Sequence, residues 1–119
     1  MELPVSGPFH SSLMKPAADV FKQVLDGVTF SAPQVTYYSD IDSIVMSDTQ
    51  QIKDSLVRQL MAPVQWVKTI EKMGQDGYTN FVEVGSGKVL NGLIKKIAKD
   101  AVISNAGDME SIKLVSEAK

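Results

Sequence analysis

The single histidine of the 119-residue chain, His10, lies in SGPFHSSLM (residues 6–14), between residues that bend the backbone and a run that starts a helix. An imidazole near neutral pH can take a proton from a hydroxyl and return it to a leaving group. Pro8 restrains Gly7, glycine lets the backbone turn, and a helix beginning after Ser11 would anchor the ring on a firm element. Such a base needs a nucleophile. No G-x-S-x-G elbow occurs in the chain, and Ser6, Ser11 and Ser12 lack the strand-turn-helix setting that exposes an activated hydroxyl. Ser11 or Ser12 reads instead as a helix cap.

Two other stretches could carry chemistry. VGSGK (residues 84–88) places glycines between an apolar run and a helical pattern, the setting in which backbone N–H groups point at a phosphate. The fuller phosphate-loop pattern fails: Val82 stands at the first glycine position, and Val89 stands where a serine or threonine would hold magnesium. A tight strand-helix turn is the expectation. Asp40 and Asp42 would share a face on a strand, but a turn with solvated acids is the simpler reading. Tyr37, Tyr38 and Trp66 read as core. With no cysteine and one histidine, neither thiolate nor His-rich metal sites can be assembled, so no metal and no cofactor are expected.

The elements that must position these residues follow from periodicity. Leu13, Met14, Ala17, Phe21, Val24, Leu25 and Val28 recur at helical spacing, with Pro16 in the first turn and Gly27 as the stop. QVTYYSDI suits a buried strand ending near Ser39. Two helices follow, Asp48 to Met61 with Ile52, Leu56 and Leu60 on one face, and Pro63 to Gly74 with Val67, Ile70 and Met73. Next come a strand over Phe81 to Val84, a glycine turn, and a helix striped by Val89, Leu90, Leu93, Ile94 and Ile97, with Lys95, Lys96 and Lys99 near its negative end. AVISN is a short strand, and Asp108 caps a last helix through Val115. Strands alternating with helices predict an α/β fold with about three short parallel strands and flanking helices. Residues 1–119 show no repeat, low-complexity tract or linker, so no internal boundary is expected.

Composition bounds the partners. Hydrophobic residues make up 44% and charged ones 22%, as in globular chains, and the net charge of −2 provides no basic field for a phosphate backbone. Nucleic acid is not an expected partner. No apolar run approaches the length that spans a bilayer, and MELPVSGPFH lacks the basic and apolar regions of a signal peptide, so a cytoplasmic location without membrane contact is expected.

LPVSGPFHSSLMKPAA, LVRQLMAPVQW and FVEVGSGKVLNGLIKKI, in this order and spacing, resemble the C-terminal part of bacterial malonyl-CoA:acyl carrier protein transacylases. The resemblance runs over nearly the whole chain and weakens in the last dozen or so residues. It implies transfer of malonyl from coenzyme A to a serine and then to the phosphopantetheine thiol of acyl carrier protein, in fatty acid synthesis. Malonyl-CoA is then a substrate and acyl carrier protein a partner. His10 falls on the family's general base and acid, and Gln59 on the residue whose backbone carbonyl orients it and steadies the imidazolium, the task of a triad carboxylate elsewhere. Phe9 falls on a position thought to crowd out an α-methyl group.

The resemblance also implies a serine in a GHSxG elbow, an arginine for the malonyl carboxylate and a glutamine whose backbone joins the oxyanion hole, none of which has its motif here. The chain is therefore expected to be a C-terminal fragment whose partner is the missing N-terminal part of the same enzyme, and to be inactive alone. In the family, both chain ends build an α/β-hydrolase-like subdomain, to which these residues would contribute the final strands and helices. Apolar edges and faces left without partners would then be exposed and leave the chain marginally folded. Ser86 and Asp40 depart from a proline and an asparagine frequent at those positions. Two alternatives remain: a non-catalytic fragment that docks a carrier protein through Lys95, Lys96 and Lys99, and an acyltransferase segment of a polyketide or fatty acid synthase.

Overall fold

A computed structural model describes residues 7–117; Ser6 lies outside them. A 3-10 turn, Ser12–Met14, leads into α1 (Lys15–Asp26), followed by β1 (Tyr37–Tyr38), β2 (Val45–Met46), α2 (Thr49–Gln59), α3 (Trp66–Gln75), β3 (Asn80–Val84), α4 (Val89–Ile97), β4 (Val102–Ala106) and α5 (Met109–Glu117). The mixed α/β class is as expected, but the sheet is not a single parallel one. β1 and β2 pair antiparallel, with Tyr37 opposite Met46, while β3 and β4 pair parallel, with Asn80 opposite Val102 and Val84 opposite Ala106. Connection length decides between the two. Residues 39–44 are too few for a parallel crossover, whereas residues 85–101 carry α4 and bring the chain back in the same direction.

The contacts group the chain into two compact units, Met1–Thr69 and Ile70–Lys119. In the first, α1 has Pro16 in its opening turn and Gly27 at its C-cap, and it buries Ala18 and Leu25 rather than the whole anticipated stripe. Val20 and Val24 stay 61% and 58% exposed, so an apolar face of the helix is uncovered. No side chain caps α1, contrary to the expectation for Ser11 and Ser12; the Ser11 hydroxyl donates to Pro8 O at 2.7 Å and tightens the turn ahead of the helix. Asp48 caps α2 by accepting from Gln51 N at 2.8 Å. Ile52 and Ser55 are the buried residues of α2, so its inward face is partly polar.

The strand anticipated in QVTYYSDI ends where expected, since Ser39 turns the chain, its N–H donating to Ile44 O and its carbonyl accepting from Ser43 N, but it starts late: bends at residues 34 and 35 confine it to Tyr37 and Tyr38, both half-buried. Pro63 does not open a helix either. Gln65 N–H donates outside the helix, to Asp40 O, while Gln65 O accepts from Thr69 N, so α3 begins only at Trp66.

In the second unit, β3 alternates exposed and half-buried positions, turning Phe81 and Glu83 away from Val82 and Val84. Ile94 is the buried residue of α4, while Val89 is 72% exposed. Asp108 accepts from Ser111 N at 2.8 Å and donates its own N–H to Ser111 Oγ at 3.0 Å, a reciprocal cap that starts α5. Among the described residues, no helix is long and apolar enough to cross a membrane.

Candidate functional site

A helix ends with backbone carbonyls that have no partner within it. At the end of α2 these carbonyls converge on one residue. His10 Nδ1 lies 2.9 Å from Gln59 O and 3.1 Å from Ala62 O, and the His10 backbone N–H donates to Leu60 O at 3.1 Å. Carbonyls only accept, so Nδ1 must carry the proton and Nε2 of the neutral ring keeps its lone pair. Nε2 is then the nitrogen able to receive a proton. The ring is exposed, within reach of a reacting group.

The backbone of His10 is itself unusual. Its φ is 61°, in the left-handed region that side chains other than glycine, asparagine, aspartate and histidine seldom occupy. The conformation folds the GPFH turn back over the α2 terminus, and the bond to Leu60 O holds it there. Phe9, on the same turn, is 55% exposed and packs against Gly7, where an added Cβ would lie 3.4 Å from the Phe9 ring.

The platform beneath the histidine is a polar cluster. Asp42, in the turn between β1 and β2, takes a forked pair of bonds from Arg58, Nη1 to Oδ1 and Nη2 to Oδ2, each 2.8 Å. Its Oδ2 also accepts from Ser39 Oγ at 3.0 Å and Ser55 Oγ at 3.1 Å, and the two hydroxyls meet at 2.9 Å. The Arg58 guanidinium holds the Asp42 carboxyl below the usual carboxylate range, and Asp42 in turn raises Arg58. The reading of Asp40 and Asp42 as merely solvated acids is thus corrected: Asp42 is tied to α2, and Asp40 Oδ2 accepts from Gln59 Nε2 at 2.7 Å. Tyr37, half-buried beside these acids, is pushed up chiefly by burial.

The structure places His10 Nδ1 against the carbonyl of Gln59, 49 positions away, a pair that only the family resemblance had joined. Three partners were not anticipated, namely the Ala62 carbonyl, the Leu60 carbonyl and the Asp42–Arg58 fork. A hint lay in Ser55, a small polar residue on the face of α2 that carries Ile52, three positions before an arginine.

The glycine loop has the opposite character. Gly85 and Gly87 adopt φ of 128° and 91°, and the loop delivers the chain to the N-terminus of α4. Two N–H groups there are occupied: Glu83 Oε1 accepts from Leu90 N at 3.1 Å and Oε2 from Asn91 N at 2.8 Å. Asn105 Nδ2 clasps the loop by donating to Glu83 O and Gly87 O at 3.1 and 3.0 Å. A carboxylate of the chain itself fills the place where a phosphate would bind, in keeping with a structural turn.

No family model matches the chain. Among curated proteins, the malonyl CoA-acyl carrier protein transacylase of Bacillus subtilis is 43% identical over 112 residues, which is 94% of this chain and 35% of the relative. The Escherichia coli K12 protein of the same description is 47% identical over 97 residues, 82% of this chain and 31% of the relative. Among solved structures, an acyl-carrier-protein S-malonyltransferase from Burkholderia pseudomallei matches with a TM-score of 0.92 at 43% identity, over 98% of this chain and 38% of its own. A structure of a type II polyketide synthase acyl-carrier protein in complex with its malonyl-transacylase also matches, at 37% identity with a TM-score of 0.92, over 98% of this chain and 38% of that one. The chain therefore spans between 31% and 38% of the length of these relatives.

Proposed function

We propose that the chain, which matches 35% to 38% of the length of malonyl-transferring relatives, carries the general base of their malonyl transfer and forms a C-terminal part of such an enzyme. The observation that supports this reading is the His10 arrangement: Nδ1 is held by Gln59 O and Ala62 O, and Nε2 is left to exchange a proton. In the first half-reaction Nε2 takes the proton of a serine hydroxyl supplied by the rest of the enzyme. The serine oxygen attacks the thioester carbonyl of malonyl-CoA, the C–S bond breaks, and the proton passes to the departing coenzyme A thiolate. In the second half-reaction Nε2 deprotonates the phosphopantetheine thiol of acyl carrier protein, that sulfur takes the malonyl group, and the proton returns to the serine oxygen. The carbonyls at the α2 terminus keep the ring oriented through both transfers, as a carboxylate does in a triad. No cofactor enters either step, and a cytoplasmic setting matches these substrates.

In this reading Phe9, next to the base on an exposed turn, borders the acyl group and excludes an α-methyl substituent. The chain alone lacks a serine elbow and is expected to be inactive by itself.

The test is a chimera in which this chain replaces the homologous third of the Bacillus subtilis transacylase, with malonyl transfer to acyl carrier protein as the readout. The chimera is expected to be active, and His10→Ala to lower kcat/KM by about 10²–10⁴-fold, the usual contribution of a positioned acid-base group. A folded chimera that binds carrier protein yet transfers equally well with and without His10 would overturn the reading and favour a docking role.

A further inference from the structure

We propose that Asp40 is a positioning residue, fixing both ends of the short segment whose carbonyls hold His10. Three acceptors grip the histidine: Gln59 O, Leu60 O and Ala62 O. Gln59 is the last residue of α2, and Leu60 and Ala62 lie in the irregular stretch between it and the start of α3. Such a stretch has no ladder of its own to fix its carbonyls, so their direction depends on what ties its ends. Asp40 ties both. Its carboxylate Oδ2 accepts from the Gln59 side chain at 2.7 Å, and its backbone carbonyl accepts from Gln65 N at 2.7 Å. One residue of the β1–β2 turn thereby sets where residues 59 to 65 begin and end. The neighbouring Asp42–Arg58 fork anchors the helix a residue earlier, whereas Asp40 reaches the side chain of Gln59, whose carbonyl meets Nδ1.

The consequence falls on the tautomer of His10. With the carbonyls of Gln59 and Ala62 aimed at Nδ1, the proton stays there and Nε2 is free; when they wander, the other tautomer gains. The mechanistic meaning of this role rests on His10 acting as a base, but the geometry does not.

The experiment is the ratio of Nδ1–H to Nε2–H His10, read from imidazole ¹⁵N shifts of the 119-residue chain at a pH where the ring is neutral, with a thermal melt beside it. Asp40→Ala is expected to lower the ratio about five-fold, the effect of weakening one hydrogen bond of ordinary strength. Asp40→Asn keeps an acceptor oxygen for the Gln59 amide and is expected to restore the parental ratio. Gln59→Met removes the same bond from the other side while leaving the Gln59 backbone in place, and decides the matter should Asp40→Ala fail to fold. Asp48→Ala, which removes the cap at the far end of α2, is expected to lower the melting temperature without moving the ratio.

The proposal is overturned by an unchanged ratio in Asp40→Ala or Gln59→Met, by an equal fall in Asp40→Ala and Asp40→Asn, or by an equal fall in Asp48→Ala. Because the ratio is read without serine or substrate, an inactive chimera with a normal tautomer ratio would count against the proposed function and leave Asp40 in its role.

Discussion

The C-terminus of α2 and the N-terminus of α4 face the same physical problem, backbone polar groups that no helical bond satisfies. At α4 the chain closes the problem off. Glu83 reaches from the preceding strand and takes the N–H groups of Leu90 and Asn91, so those two donors are not offered to a ligand. At α2 the carbonyls are gathered instead by a histidine whose second nitrogen has no hydrogen bond among the described residues, so the helix end is satisfied and a reactive atom is presented in one stroke. Glycines beside a helix are therefore a poor guide to chemistry in this chain. The distinguishing feature is whether the group that satisfies the helix end has valence left over: a carboxylate capped onto two N–H groups has little to offer, and an imidazole held by one nitrogen has a base.

The most damaging way to break the sealed end is at Gly107. A Cβ built there would lie 2.6 Å from Gly85 O and 2.9 Å from Asn105 Oδ1, and the first of these is backbone that cannot swing aside. Gly107→Ala is expected to push the Gly85 loop off β4 and to cost about 2–3 kcal/mol, the range for overpacking a close contact. Denaturant unfolding reads this directly, and a variant as stable as the parent would show that the loop yields.

A milder change unseals α4 without straining it. Glu83→Ala removes the acceptor for two N–H groups and is expected to cost about 1–2 kcal/mol. It also sharpens the comparison, since the vacated terminus should attract anions. Sulfate at millimolar levels is expected to raise the melting temperature of Glu83→Ala more than that of the parent. Equal responses would mean that Glu83 does not occupy an anion site.

How much of this was legible beforehand differs between the two ends. At α4 the strand, the glycine turn and the helix all follow from apolar spacing, but the seal needed the knowledge that Glu83 turns toward the helix, which depends on the pleat and is not written in its type. At α2 the periodicity located the helix, with Asp48 as its start and not as the cap it is, while the Ser39–Ser55–Asp42 cluster was hidden because short polar residues in a turn look the same whether solvated or packed. The antiparallel pairing of β1 with β2 was missed because strands of two residues carry almost no pattern. The likeness to a known family supplied the pairing of His10 with Gln59, since no local rule joins residues so far apart in the chain. The apolar faces of α1 and α4 were legible as stripes, yet Val24 and Val89 remain exposed, because amphipathicity states that a face is to be covered and not what covers it.

The smallest effect tests how firmly the open end is held. Asp42 is held below the usual carboxylate range first by its bonds to Arg58, and then by the hydroxyls of Ser39 and Ser55. A group whose folded value is depressed binds protons more readily in the unfolded chain. Its contribution to stability is therefore complete above the unfolded value of about 4 and is lost as the pH falls through the folded value. Asp42→Asn removes that contribution at every pH. At neutral pH the variant is expected to be less stable by about 1 kcal/mol, a modest figure because the Arg58 side chain is 51% exposed and solvent screens the pair. As the pH is lowered from about 4 toward 2 the two stability curves are expected to converge, the parent falling faster. Every other carboxylate is common to both chains, so the difference between the curves isolates this one group. Curves that stay parallel through that window would mean that the fork to Arg58 adds nothing to the folded state, and that the α2 terminus is held for His10 by the Asp40 bonds and the backbone alone.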